Sequence, residues 1–263
     1  MSVFPVGQIV HTLPEGEPVW GVTSLAGEIF LLKGRDQIEV YDVINYSLLR
    51  RLAVPNSRSP TDMTSCARDL CTYICDRTGE CVHRLDVQAS AFTRWSVEDR
   101  PDRLSMNASH NVLVTCDAVC KIKEFSSHGD LLRELTLPAN VINPCHAIQT
   151  RQNEFVICHG GWGVCKISAD GRYQQGSGHG QYDVPAHLAV DNYEFVFVAD
   201  VNNRRVKLLS LTLGHVRDVA SRDQLKWRPW RLCLDVQRRR LYVADNEWKE
   251  GNWTSGRVVV FSV

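Results

Sequence analysis

The feature that most constrains this chain is a phrase that returns every forty-odd residues. Its clearest copy is VPAHLAVDNYEFVFVADVNNRRVKLL, running from Val184 to Leu209. Related phrases are anchored at Val19, Pro60, Pro101, Pro144, Pro185 and Pro229, at steps of 41, 41, 43, 41 and 44 residues. Each unit holds short runs rich in β-branched and aromatic residues, parted by polar turns. A strand-built repeat of this length cannot bury its apolar face alone, so it stacks on its neighbours in an array. Six units predict an all-β, six-bladed β-propeller with four-stranded antiparallel blades, one domain over residues 1–263.

In the fifth unit the expected strands are His187 to Val190, Phe195 to Ala199, Arg205 to Ser210 and Leu213 to Ala220. The sixth unit reads PWRLCLD, RRLYVADN and GRVVVFSV, then stops one strand short. Residues 7–13, GQIVHTL, are expected to supply the missing strand and close the ring. Closure removes the open sheet edges that invite aggregation.

Lys plus Arg and Asp plus Glu are 30 each, so the formal charge is zero and bulk attraction to nucleic acid or an anionic membrane is not indicated. No apolar run approaches the ~18 residues of a membrane span. The first twenty residues lack the basic and long apolar regions of a signal peptide. These features lead to the expectation of a cytoplasmic, monomeric propeller without a membrane partner.

The blade-five pattern P-x-H-L-x-V-D…F-V-F-V-A-D-x-x-N-x-R-V-K-L-L resembles the NHL repeat. Asp200, Asn203, Arg205 and Val206 stand where that repeat's Asp, Asn, Arg and Val stand. Blade six keeps Asp235, Tyr242, Val243, Ala244 and Asp245 but has a longer turn, Asn246 to Ser255. Blades one to four diverge, and His159 takes the Asp200 place in blade four. Such propellers are similar to the C-terminal domain of many tripartite-motif proteins. The resemblance implies a recognition platform, for instance the substrate-reading part of a ubiquitin-ligase-type assembly.

Three blades carry two cysteines flanking one turn: Cys75/Cys81, Cys116/Cys120 and Cys158/Cys165. They are expected at the places of Ala199 and Val206, as small buried apolar residues. Cross-strand disulfides would need an oxidising compartment. The spacing of Cys66, Cys71, Cys75 and Cys81 lacks the paired knuckles of a zinc finger.

The residue two after each anchor opens an innermost strand at the mouth of the central channel. Those residues are Gly21, Asp62, Arg103, His146, His187 and Arg231. Trp20 and Trp230 follow their anchors directly, and Trp227, Arg228, Trp248, Lys249 and Trp253 are expected on nearby loops. Tryptophan and arginine combine large contact area with directional donors. The expected function is therefore a non-catalytic module, free of metal and cofactor, that binds a protein or peptide through Trp20, Trp227, Arg228, Trp230, Arg231, Trp248, Lys249, Trp253, Arg103, His146 and His187. RNA binding is a second reading, weakened by acidic residues in the same turns. A third is a metal-dependent lyase or hydrolase using His146, His187 and Asp62, with Arg103 and Arg231 opposing a cation.

Overall fold

The computed structural model describes residues 7–34, 36–161, 163–177 and 180–263. They form six antiparallel sheets of four strands each, the expected propeller. Blade one comprises Val19–Leu25, Glu28–Lys33, Gln37–Asp42 and Leu48–Ala53. Blade two comprises Pro60–Cys66, Cys71–Asp76, Cys81–Asp86 and Ala91–Ser96. Blade three is Arg103–Met106, Val112–Cys116, Lys121–Phe125 and Leu131–Thr136. Blade four is Pro144–Gln149, Phe155–His159, Gly163–Ile167 and Tyr173–Gly176. Blade five is Pro185–Val190, Val196–Asp200, Arg205–Leu209 and His215–Ala220. Blade six joins Arg228–Asp235, Arg240–Lys249 and Asn252–Ser262 to Gln8–Thr12 from the start of the chain.

Second strands lie between two neighbouring sheets, so they are apolar on both faces. Every residue of Cys71–Asp76 and Val196–Asp200 is buried. Outer strands such as Leu48–Ala53 face water along most of their length. The core is a series of layers between blades, for example Phe197 and Leu208 of blade five against Leu232, Leu241 and Val259 of blade six.

Ring closure follows the expected line. Gln8 pairs with Ser262 and Ile9 with Phe261; after a bulge, His11 pairs with Val260 and Thr12 with Val259. Leu13 N–H donates to Val258 O at 2.8 Å, and the Leu13 side chain is buried against Val19, Tyr242 and Val258.

A second regularity aims the channel residues. In five blades the pairing slips by one residue directly after the anchor: Val19/Gly21, Pro60/Asp62, Pro144/His146, Pro185/His187 and Pro229/Arg231. A bulge of this kind bends the strand and re-aims the next side chain. In blade one that residue must be glycine, because a Cβ on Gly21 would lie 2.6 Å from Met63 Cγ and 2.8 Å from Met63 N.

Two expectations are corrected. Residues 246–255 are not a loop: the ladder continues through Glu247↔Ser255, Trp248↔Trp253 and Lys249↔Asn252. It ends in a two-residue turn, Glu250 and Gly251, at φ of 52° and 82°, as twisted hairpins favour. The cysteine alignment is also shifted. Val82 faces Cys75, Asp76 faces Cys81, Lys121 faces Cys116, Val164 faces Cys158 and Ile157 faces Cys165. By register Cys81 stands in the place of Arg205, not Val206. Blade four's turn is one residue shorter than blade five's, and a one-residue slip changes the face of every side chain beyond it. All ten cysteines are free. Among the described residues, no helix is long and apolar enough to cross a membrane.

Because Leu13 is fully buried in the closing layer, Leu13→Ala should cost about 2–5 kcal/mol. Urea unfolding of the two proteins measures it; a change below about 0.5 kcal/mol would show that the leading strand does not hold the ring.

Candidate functional site

The bulges bring Asp62, His146, His187 and Arg231 to one end of the channel, and Arg103 joins them from the unbulged start of its strand in blade three. Asp62 is fully buried and central. Its Oδ2 accepts the Leu104 N–H at 2.9 Å and lies 3.5 Å from His187 Nε2. Its Oδ1 is 3.1 Å from Arg231 Nε. Arg231, 1 % exposed, donates to Thr61 O at 2.6 Å and to Trp230 O at 2.9 Å, so it spans blades six and two. Arg103 meets Asp102 Oδ1 at 2.6 Å, which Arg77 also holds at 2.6 Å. The rings of His146 and His187 stack at 3.8 Å. Beneath them the channel continues as a cavity of about 230 Å³, lined by these histidines together with Thr23, Ser65, Ser105 and Cys233.

Backbone contacts set the histidine tautomers. His146 Nε2 is 3.0 Å from Leu104 O and must donate, while its Nδ1 accepts Leu188 N–H at 3.3 Å. His187 Nδ1 accepts Leu232 N–H at 3.4 Å, which leaves the proton on Nε2, facing Asp62. Burial pushes both imidazoles below their ordinary value; the facing His187 adds to this for His146. Burial alone would lift Asp62, but His187 and Arg231 outweigh it and hold the carboxyl well below the carboxylate range. Burial, and then Arg103, pulls Arg231 down to about 9, still cationic at neutral pH. The cluster is thus an ionised carboxylate, two guanidiniums and two neutral imidazoles. His187 Nε2 and Arg103 Nε have no hydrogen-bond partner among the described residues.

Asp62, His146 and His187 place donor atoms within 4.8 Å of one another, yet they do not suit a metal ion. Both nitrogens of His146 and one of His187 are committed to backbone groups. Arg231 already occupies the side of Asp62 that a cation would take.

The tryptophans form a shelf over this cluster. Trp230 and Trp253 rings lie 4.6 Å apart, and Trp248 meets Trp253 edge-on at 4.9 Å. The guanidiniums of Arg231 and Arg103 lie 4.9 and 5.7 Å from the Trp230 ring. Trp248 and Lys249 are exposed at the tip of the long hairpin. Trp227 is held apart, under Lys226 and Arg257, and Arg228 is half-buried at the start of its strand. Trp20 packs into the layer between blades one and two, away from the shelf. Sequence reasoning missed Asp102 and Arg77, whose pairing orients Arg103. Their signal was the acidic residue one place after the blade-three anchor, where other blades have Trp, Thr, Cys or Ala.

No family model matches the chain, and no curated protein matches it. Solved structures do. A virginiamycin B lyase from Staphylococcus aureus superposes with a TM-score of 0.67 at 8% identity, over 95% of this chain and 99% of that one. A catalytically inactive form of that lyase with quinupristin gives 0.69 at 9% identity, over 98% of each chain. Hydrazine synthase from Kuenenia stuttgartiensis gives 0.63 at 13% identity, over 92% of this chain and 95% of that one. At these identities the likeness establishes the fold. It also overturns the expectation of a plainly non-catalytic recognition module. The solved rings similar to this one include enzymes, and the chemistry-bearing residues here are gathered in the channel rather than spread over an outer face. Nothing in these likenesses supports a tripartite-motif or ubiquitin-ligase setting.

Two outcomes follow from the buried cluster. Asp62→Asn leaves Arg231 charged and uncompensated and should cost about 3–5 kcal/mol, most of which Asp62→Asn with Arg231→Met should restore. Additive single-variant costs in a double-mutant cycle would disprove the coupling. The native state resists protonation of His146 and His187, while the unfolded chain takes up those protons near 6.5. Stability should therefore be full above pH 6.5 and fall as pH drops below it, with a further loss from Asp62 below about 3.8. A melting temperature that is flat between pH 7 and 5 would contradict the neutral, buried state of the two rings.

Proposed function

We propose that this chain is an enzyme-related propeller that acts at the channel mouth by metal-free proton transfer, in the manner of a lyase, on a small ring-bearing substrate with a carbonyl or anionic oxygen. The observation that carries this reading is the buried Asp62 carboxylate, flanked by Arg231 and by a His187 Nε2–H without a hydrogen-bond partner. In an elimination, Asp62 takes the acidic proton next to the carbonyl; Arg231 weakens it as a base at rest, so the step requires Arg231 to turn towards the substrate oxygen as charge grows there. The electron pair moves through the carbonyl carbon, and the oxygen's growing charge meets the N–H groups of Arg103 and Arg231. As the C–O bond breaks, Asp62 returns the proton it took to the departing oxygen, while His187 Nε2–H, 3.5 Å from Asp62, steadies that oxygen by a hydrogen bond and stays neutral. Arg103 is the least buried of these groups, at 8 %. The Trp230, Trp248 and Trp253 shelf offers ring faces for the apolar part of the substrate. The kinship with NHL repeats belongs to the same reading: blades five and six keep a buried Asp paired to an Arg, Asp200–Arg205 at 2.8 Å and Asp245–Arg257 at 2.9 Å.

Quinupristin, the molecule that accompanies one similar ring, is the first substrate to try. Chromatography with mass detection separates elimination, which opens a ring without change of mass, from hydrolysis, which adds water. Turnover should persist in chelator and drop about 100-fold or more in Asp62→Asn. Tryptophan fluorescence should report binding of aromatic carboxylates that Arg103→Gln weakens. Intact substrate together with carboxylate binding indifferent to Arg103 would set the reading aside.

A further inference from the structure

Blade two departs from its siblings at one buried point. In blades five and six a fully buried Asp of the second strand, Asp200 or Asp245, faces an arginine of the third, Arg205 or Arg257, and forms an ion pair with it. Blade two keeps the carboxylate as Asp76, fully buried. Its pairing partner is Cys81, and His83 stands in the place of Lys207. Two cations of blade five are thus replaced by a thiol and an imidazole.

We propose that Asp76, Cys81 and His83 form a three-ligand site for a zinc-type divalent cation, with its fourth position open to the adjoining groove. Cys81 Sγ lies 3.5 Å from His83 Nε2, and His83 Nε2 lies 3.5 Å from Asp76 Oδ2. All three donor atoms fall within 4.8 Å of one another. Zinc bonds of roughly 2.0–2.3 Å place neighbouring tetrahedral ligands roughly 3.3–3.7 Å apart, so both measured edges suit that ion. The donor set of thiolate, imidazole and carboxylate suits zinc better than magnesium or calcium, which favour oxygen alone. Asp76 is fixed from behind by backbone N–H groups: Ser59 and Gly79 on Oδ1 at 2.8 and 2.9 Å, and Arg58 on Oδ2 at 2.8 Å. Such outer contacts orient a ligand carboxylate.

The groove of about 720 Å³ beside the cluster is lined by Arg58, Gly79, Cys81, Arg94 and Trp95. Arg94 pairs across the sheet from His83. A dication with one carboxylate and one thiolate is neutral, so the Arg94 charge selects an anion as the fourth ligand. This site lies in one blade and shares no residue with the channel mouth; it stands or falls independently of the activity proposed there.

Cobalt(II) titration of the reduced full-length chain tests it. A single equivalent should produce a thiolate-to-cobalt charge-transfer band that zinc abolishes and azide shifts. His83→Gln should lose the band. Cys81→Arg rebuilds the carboxylate–guanidinium pair of blades five and six, so it should fold and also lose the band. Both should weaken zinc binding at least tenfold, a loss that even outer-sphere partners of a metal can cause. Absence of the band in the wild type, or an unchanged band in Cys81→Arg, would overturn the site. An azide-insensitive spectrum would overturn its open fourth position. If Cys81→Arg does not fold, the wild-type melt decides: a rise in melting temperature with saturating zinc supports the site, and a flat one overturns it.

Discussion

The ladder between Gln8–Thr12 and Asn252–Ser262 is the interaction on which the rest of the molecule depends. It joins the two ends of the chain in one sheet and turns a row of blades into a ring. A row would leave unpaired strand edges and apolar faces at both ends. A ring has a centre, and only a ring brings Asp62 of blade two to Arg231 of blade six and His187 of blade five. The channel cluster is thus a consequence of closure, because none of its members is local to another in sequence.

That centre is costly to build. An ionised carboxylate and a guanidinium, each at most 1 % exposed, lose most of their hydration, and their mutual attraction recovers it only when nearly every remaining polar atom is matched. The protein matches many of them with backbone: Leu104 N–H on Asp62, Thr61 O and Trp230 O on Arg231, Leu104 O and Leu188 N–H on His146. The bulge after the anchor in five of the blades contributes to this, since it frees backbone groups near the mouth from regular pairing. The cluster's atoms left without a hydrogen bond, Asp62 Oδ1, His187 Nε2, Arg103 Nε and Arg231 Nε, are where a ligand gains most, because they carry a desolvation cost that no hydrogen bond yet offsets.

How much of this was readable beforehand follows from the physics of each signal. The anchor prolines marked the units because proline opens a strand after a loop and cannot donate within a ladder. Counting two residues onward reached Asp62, Arg103, His146, His187 and Arg231, since the start of the innermost strand recurs at the same place in successive blades, with a bulge before all of them but Arg103. The cysteine alignment failed for the complementary reason. It was counted across a turn, and turn lengths vary by a residue between blades, which swaps the faces beyond. The hairpin at Trp248–Trp253 read as a loop because its Asn, Glu, Lys and Gly content outweighs its two aromatics. Charge state was beyond reach of the residue list: that the two histidines are neutral and unsuited to metal depends on Leu104 O, Leu188 N–H and Leu232 N–H.

The two clusters show one principle from opposite sides. Each of these buried carboxylates demands a cation, and the identity of that cation decides what the site can do. At Asp200 and Asp245 the partner is an arginine supplied by the same sheet, and the result is structural. At Asp62 the arginine comes from another blade and leaves one carboxylate oxygen outside hydrogen-bond geometry, an acceptor that a ligand can still satisfy. At Asp76 the arginine is absent, and the residues in its place bear lone pairs rather than positive charge. A buried carboxylate with a thiol and an imidazole has the electrostatic deficit that an external cation fills. Repeat proteins acquire sites in this way because the scaffold already holds the carboxylate in place, so a change at the partner position alone alters the chemistry without disturbing the fold.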